Sequence, residues 1–305
     1  KNTAPVADFY AKKRKYFDLN VPSLDKHING LLRSASDVSE LSAICYDLHN
    51  RLWAPLASSI QTKKIIIIPD GILYNLNFEI LTSAKIRSYK DFSRSSLLSK
   101  HNISYQYSLF LTGERNPELK STANFIAFAP GFTDEVKNRY RNTLKSSFDI
   151  DNSYLSLLPQ PFTLSLATKT QRLFGGDLFL YENSTAGSFR ENAANNKIIH
   201  IGTHAESNNL HPEFSRLIFA KSNEEIQSNS LYLFDIYNCD LSSELTVLTA
   251  CESGKPGYQD GEGMISLAHA FNYAGSESIV TGLWKIDEQS SAELMESFYH
   301  NLNEG

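Results

Sequence analysis

The chain has little cysteine, and what it has is badly placed for cross-linking. Cys45, Cys239 and Cys251 are spread through 305 residues. An odd number at such spacings is not a disulfide framework, and it fits a reducing, cytoplasmic setting. No Cys-x-x-Cys occurs, which argues against structural zinc. No apolar run approaches the ~20 residues that cross a bilayer, and the start carries no signal-peptide pattern. The net charge is −5 and no lysine- or arginine-rich block stands out, so nothing advertises nucleic acid. "KKRKYF" (12–17) reads as a solvated helix face. The chain lacks an initiator methionine and opens in helical text, so a fragment of a longer protein is expected.

What is present is alternation of strand and helix text. Hydrophobic residues make up 41%, enough for one large α/β domain or two smaller ones. Residues 1–60 read as helical, with Leu41, Ile44, Leu48 and Leu52 at helical spacing and Pro55 ending or kinking the helix. Ile65 to Ile68 form an unalternating β-branched run, which predicts a strand covered on both faces, closed by the turn Pro69-Asp70-Gly71. "HNISYQYSLFL" (101–111) reads as another strand leading into a helix.

A second series begins with the strand "NFIAFAPGF" (124–132). Residues 133–160 are polar and serine-rich and are expected to include a mobile loop. Helix is predicted over 166–176, strand over 177–185, helix over 186–196 and strand over 197–207. Helix follows over 231–241, strand over 245–253, helix over 263–276, strand over 278–284 and helix over 291–302. This alternation predicts a mostly parallel sheet with helices on both faces. Such sheets hold ligands at the carboxyl ends of their strands.

Two predicted strands stop on chemistry. "KIIHIGTHAES" runs into His204, and "LTVLTACES" runs into Cys251. A thiol attacks a carbonyl as its thiolate, and a neighbouring imidazole can take that proton and return it to the leaving amine. Cys251 is followed by Glu252-Ser253-Gly254, which suits a turn whose N–H groups face an oxyanion. Cys45 reads as a small core residue and Cys239 as loop text. Other motifs are weaker. His200 and His204 are four apart on a predicted strand, about 13 Å, too far for one metal. "GEGMIS" lacks the third glycine of a dinucleotide loop. "SGKPG" lacks the Ser or Thr of a phosphate loop, and no Gly-x-Ser-x-Gly elbow occurs.

With these residues in place, the chain resembles the CHAT domains. These are caspase-like cysteine peptidases grouped with caspases, separases and gingipains, often found behind TPR repeats in bacteria. The resemblance starts near residue 60. It is carried by "IIIIPDGILYNLNFEIL", "NISYQYSLFL", "FGGDLFLYENST" with "FRENAANNKIIHIGTHA", and "LTVLTACESG" with "GEGMISLAHAFNYAGSESIVTGLWKIDE" and "LMESFYHNL". It implies a three-layer caspase-like α/β fold in the catalytic lobe, 121–305. It also implies a degenerate caspase-like lobe over 61–120 behind a helical segment, 1–60. The implied catalytic pair is His204 and Cys251, with the N–H groups of Ala205 and Cys251 as the oxyanion hole. No cofactor or metal is implied. The implied partners are a protein or peptide substrate, an activating partner and an upstream TPR region, with no nucleic acid or membrane.

The departures from the family pattern are Ala205, where the family has Gly, and "LPQPFTLSLATK" (158–169), which lacks the acid of the family's LP-x-x-x-x-E segment. Ala205 serves as an oxyanion donor provided its backbone needs no positive φ. Asp287 and Glu288 are candidate selectors of a basic side chain, with Trp284 beside the cleft. Asp287 is equally placed to cap the last helix. Glu262 reads as an anchor for the loop after Cys251, near Asp260. The rival reading is a catalytically silent caspase-like scaffold that binds a protein partner.

Overall fold

The computed structural model describes residues 38–109, 123–144, 150–208, 211–221, 229–250, 257–259, 263–265, 267–282 and 287–304. It divides into two compact units, residues 1–113 and 114–305. Cys251, Asp260, Glu262 and Trp284 lie outside the described residues, as do residues 1–37.

In the first unit, α1 (Val38–Leu48) widens into a π-helical turn, His49–Trp53, before α2 (Ala54–Ala57). Pro55 thus falls in the first turn of a new helix, where its missing N–H costs nothing. The strand β1 (Lys64–Ile67) pairs in parallel with β2 (Asn102–Tyr105), and α3 (Tyr89–Ser95) lies between them in sequence. Leu48, Leu52, Trp53, Phe78 and Leu81 form this unit's core, with Ile65 and Ile67 packed against it. Ile66 points the other way and is 52% exposed. The run Ile65–Ile68 therefore covers one face only, contrary to the sequence expectation. Among the described residues β1 has one strand neighbour, and period-2 alternation governs its side chains.

The second unit holds ten strands among the described residues. They are β3 (Ala123–Ala129), β4 (Asp177–Leu180), β5 (Asn196–Ile201), β6 (His204–Glu206), β7 (Arg216–Ile218), β8 (Ser230–Tyr232), β9 (Leu245–Leu248), β10 (Gly257–Gln259), β11 (Gly263–Ile265) and β12 (Ser278–Thr281). The helices are α4 (Asp134–Thr143), α5 (Asn152–Leu155), α6 (Pro161–Phe174), α7 (Ala186–Asn192), α8 (Leu233–Tyr237), α9 (Leu267–Tyr273) and α10 (Glu288–Glu304). The order β12-β9-β5-β3-β4 makes a five-stranded sheet in which every pair is parallel.

Both faces of that sheet are covered. Along β3, Phe125, Ala127 and Ala129 pack on α6, while Ile126 and Phe128 pack on α7 and α9 through Phe189 and Phe271. On the α6 face, α10 adds Met295 and Tyr299 against Leu166 and Val247. Each fully buried phenylalanine contributes about 2 kcal/mol of transfer free energy. These are the helix–sheet–helix layers expected of a caspase-like α/β fold.

Three expectations need correction and one, for residues 133–160, is refined. The strand read over 197–207 is two strands in two sheets. β5 ends at Ile201, and β6 opens a small antiparallel sheet with β7 and β8. Gly202 makes the break, because a Cβ there would stand 2.0 Å from Thr163 Cγ2. Thr203 then turns its hydroxyl onto the Ile218 carbonyl. Residues 133–160 contain two helices, α4 and α5, each started by a capping side chain, Thr133 and Asp151. The helix read over 231–241 is the end of β8 followed by α8. The helix read over 263–276 starts at Leu267, because Gly263–Ile265 pairs with Gly257–Gln259.

Candidate active site

The site is built where the central strands end. Ile201 of β5 pairs with Leu248 of β9, and Thr249 N–H donates to the Ile201 carbonyl at 3.0 Å. In sequence, His204 follows its member of this pair by three residues and Cys251 follows the other by three.

His204 is held from three directions. Its Nε2 lies 2.8 Å from the Leu158 carbonyl oxygen. A carbonyl only accepts, so Nε2 carries the proton and Nδ1 keeps its lone pair. The Phe132 ring lies 5.1 Å from the imidazole, tilted by 44°. The backbone is fixed by pairing His204 with Ile218. Burial lowers the His204 pKa, and Lys137 adds to that. The Leu158 carbonyl and the charges of Glu288 and Glu206 oppose it. The net direction is downward, so the imidazole is neutral at pH 7 and able to accept a proton.

Two turns carry these contacts. Gly131 and Phe132 both have positive φ, 69° and 45°. A buried phenylalanine in the left-handed region costs of order 1–3 kcal/mol, and it is kept where its ring touches His204. A Cβ on Gly131 would stand 2.5 Å from the Leu164 side chain. The Gly131 carbonyl accepts from Gln160 N–H at 2.8 Å, which ties this turn to the strap 157–160. Leu158 itself is 71% exposed, so its site role is its carbonyl and not its side chain.

The expected selectors have structural duties. Asp287 is the N-cap of α10: its Oδ1 accepts from Ser290 N–H at 2.9 Å and from the Ser290 hydroxyl at 2.8 Å, which lowers its pKa. Glu288 Oε1 accepts from Thr163 N–H at 2.9 Å, in the first turn of α6, where the helix dipole favours an anion. Glu288 also lines a small cleft of about 30 Å³ with Gln160, Thr163, Leu166, Thr249 and Ser291. Gln160 Oε1 and Thr249 Oγ1 are buried there without a hydrogen-bond partner among the described residues. Ala205 is not among the residues with positive φ, so alanine fits the backbone without strain.

His200 is a different case. It is fully buried on β5, its Nδ1 2.9 Å from the Tyr299 hydroxyl, and burial lowers its pKa to about 4. Among the described residues no group of three His, Cys, Asp or Glu side chains is placed to hold a metal ion. None of the described helices is long and apolar enough to cross a membrane. Sequence reasoning missed Phe132, the Leu158 carbonyl, Gln160 and Thr249. The consecutive Pro130-Gly131 turn was the signal available for the first.

A parallel α/β/α sheet with a neutral, strapped histidine at its carboxyl edge defines a class of caspase-like α/β proteins. The chain belongs to the CHAT domain family, whose model matches residues 42–305. No curated protein matches it.

Proposed function

We propose that the protein is a cysteine endopeptidase in which His204 and Cys251 cleave peptide bonds of a protein substrate. The observation that carries this reading is the His204 imidazole, fixed with its proton on Nε2 and its Nδ1 lone pair available, on the segment beside the one that continues to Cys251.

The thiol of Cys251 gives its proton to His204 Nδ1, and the thiolate attacks the scissile carbonyl carbon. The N–H groups of Cys251 and Ala205 hold the oxyanion. Collapse of the tetrahedral species breaks the C–N bond, and the proton on His204 passes to the leaving amine. His204 then takes a proton from water, which opens the thioester and frees the acid and the thiol.

The cleft beside Thr249, two residues before Cys251, takes the side chain that precedes the scissile bond. Gln160 Oε1 and the Thr249 hydroxyl have no partner among the described residues, and the Glu288 carboxylate beside them, though its Oε1 accepts from Thr163 N–H, is an anion that favours a basic side chain. Trp284, four residues before Glu288 in sequence, completes the selector, and Asp287 holds the start of α10 beside it. Activation by a partner or ligand, in bacterial defence or cell-death signalling, is part of the same reading.

The test is incubation with a positional peptide library, read by mass spectrometry, beside the Cys251→Ala variant. Cleavage after basic residues by the parent alone is the expected result. Cleavage that persists in Cys251→Ala removes Cys251 as nucleophile, and a non-basic preference removes Glu288 as selector.

A further inference from the structure

Lys137 stands out among the cations of α4. Arg139 is exposed and pairs with Glu135 at 2.8 Å and also with Glu182. Lys137, two residues earlier, is only 7% exposed, and no described carboxylate pairs with it. A lysine is seldom buried without a counter-ion, because its desolvation is left uncompensated. Among the described residues its ammonium donates to one acceptor, the Leu157 carbonyl.

The next carbonyl along the chain, that of Leu158, is the one that takes the proton of His204 Nε2. The strap is therefore held at Leu157 by Lys137, at Leu158 by His204 and at Gln160 by Gly131. We propose that Lys137 is a positioning residue for His204: through the Leu157 carbonyl it fixes the strap whose next carbonyl sets the imidazole's tautomer. The catalytic meaning of this rests on His204 acting as the general base.

Among the described residues, the charged groups that face His204 come from three elements. Glu288 on α10 and Glu206 on β6 favour the imidazolium, and Lys137 on α4 opposes it. Burial is the largest cause that keeps the imidazole neutral against these carboxylates, and the Lys137 ammonium adds to it. A methionine of similar length fills the space but removes both the donor and the charge. A glutamine keeps a donor for the Leu157 carbonyl and removes only the charge.

The experiment is nitrogen-15 NMR of histidine-labelled protein, titrated from pH 8 to pH 5, for the parent, Lys137→Met and Lys137→Gln. The parent is expected to show His204 in the Nε2–H form with a low titration midpoint. In Lys137→Met the two tautomers mix, and the midpoint moves up by on the order of half a pH unit. In Lys137→Gln the tautomer is kept and the midpoint still moves up. An unchanged tautomer in folded Lys137→Met overturns the proposal. If that variant does not fold, Lys137→Ala is read in its place, and an unchanged tautomer there overturns it.

Alkylation of Cys251 separates this from the base reading. Lys137→Met is expected to slow it roughly tenfold or more. If His204→Ala leaves alkylation unchanged, the general-base reading fails, while the NMR result still decides whether Lys137 sets the tautomer.

Discussion

His200 and His204 lie four residues apart, yet they do opposite things. His200 is enclosed between the central sheet and α10, bonded to Tyr299 and pushed to a pKa of about 4. His204 lies past the Gly202 break, half-buried, with one nitrogen tied to a carbonyl and the other free to act. Both are neutral at pH 7, for the same physical reason of burial. What separates them is access: the first is part of the core, and the second stands where two strands deliver their loops. A histidine becomes a base through what its second nitrogen faces, not through its titration alone.

The largest difference between the two is expected in activity. His204→Ala should lower peptide cleavage by roughly 10²–10⁴-fold with little change in melting temperature, measured by library cleavage and thermal unfolding. A variant that cleaves normally would erase the contrast.

The second effect belongs to His200 and is one of stability. Its folded pKa, about 4, lies below the ordinary value of 6.5. The unfolded chain therefore binds more protons as pH falls below 6.5, and stability is lost between pH 6.5 and 4, then levels off. The loss is about 3 kcal/mol. Thermal melts of the parent and His200→Gln across that range check it: the variant should show a shallower slope, and equal slopes would contradict the assignment.

A third effect sharpens the role of the strap. Gly131→Ala places a side chain on a backbone with φ of 69° and against Leu164. It should cost about 1–3 kcal/mol and reduce cleavage, because the same turn holds Gln160. The smallest effect is expected at Leu158. Leu158→Ala keeps the carbonyl that binds His204, so stability should stay within about 0.5 kcal/mol and cleavage should be unchanged. A large loss would mean that the exposed side chain takes part in the site.

Much of the fold was legible because β3, β5 and β9 carry dense apolar runs, which a sheet covered on both faces requires. Gly202 was visible as a glycine, but its consequence was not. The close approach of Thr163 comes from a helix distant in sequence, and it splits one predicted strand into two sheets. The same distance hid the rest of the site. Leu158 contributes a carbonyl, which no residue type encodes. Lys137 looks in sequence like one more cation of a solvated helix, and only the fold buries it. Asp287 could be read as a cap or as a selector, and the hydrogen bond from Ser290 places it as the cap of α10.

The most direct measurement is the rate at which iodoacetamide modifies each cysteine, followed by mass spectrometry in the parent and in His204→Ala. Burial pushes the Cys45 thiol up to about 12 and raises that of Cys239, so both should react slowly. Cys251 should react fastest, lose reactivity as pH falls through the low His204 pKa, and slow markedly in His204→Ala. A Cys251 that reacts no faster than the other two, and is unaffected by His204→Ala, would contradict a His204–Cys251 pair and favour a silent scaffold.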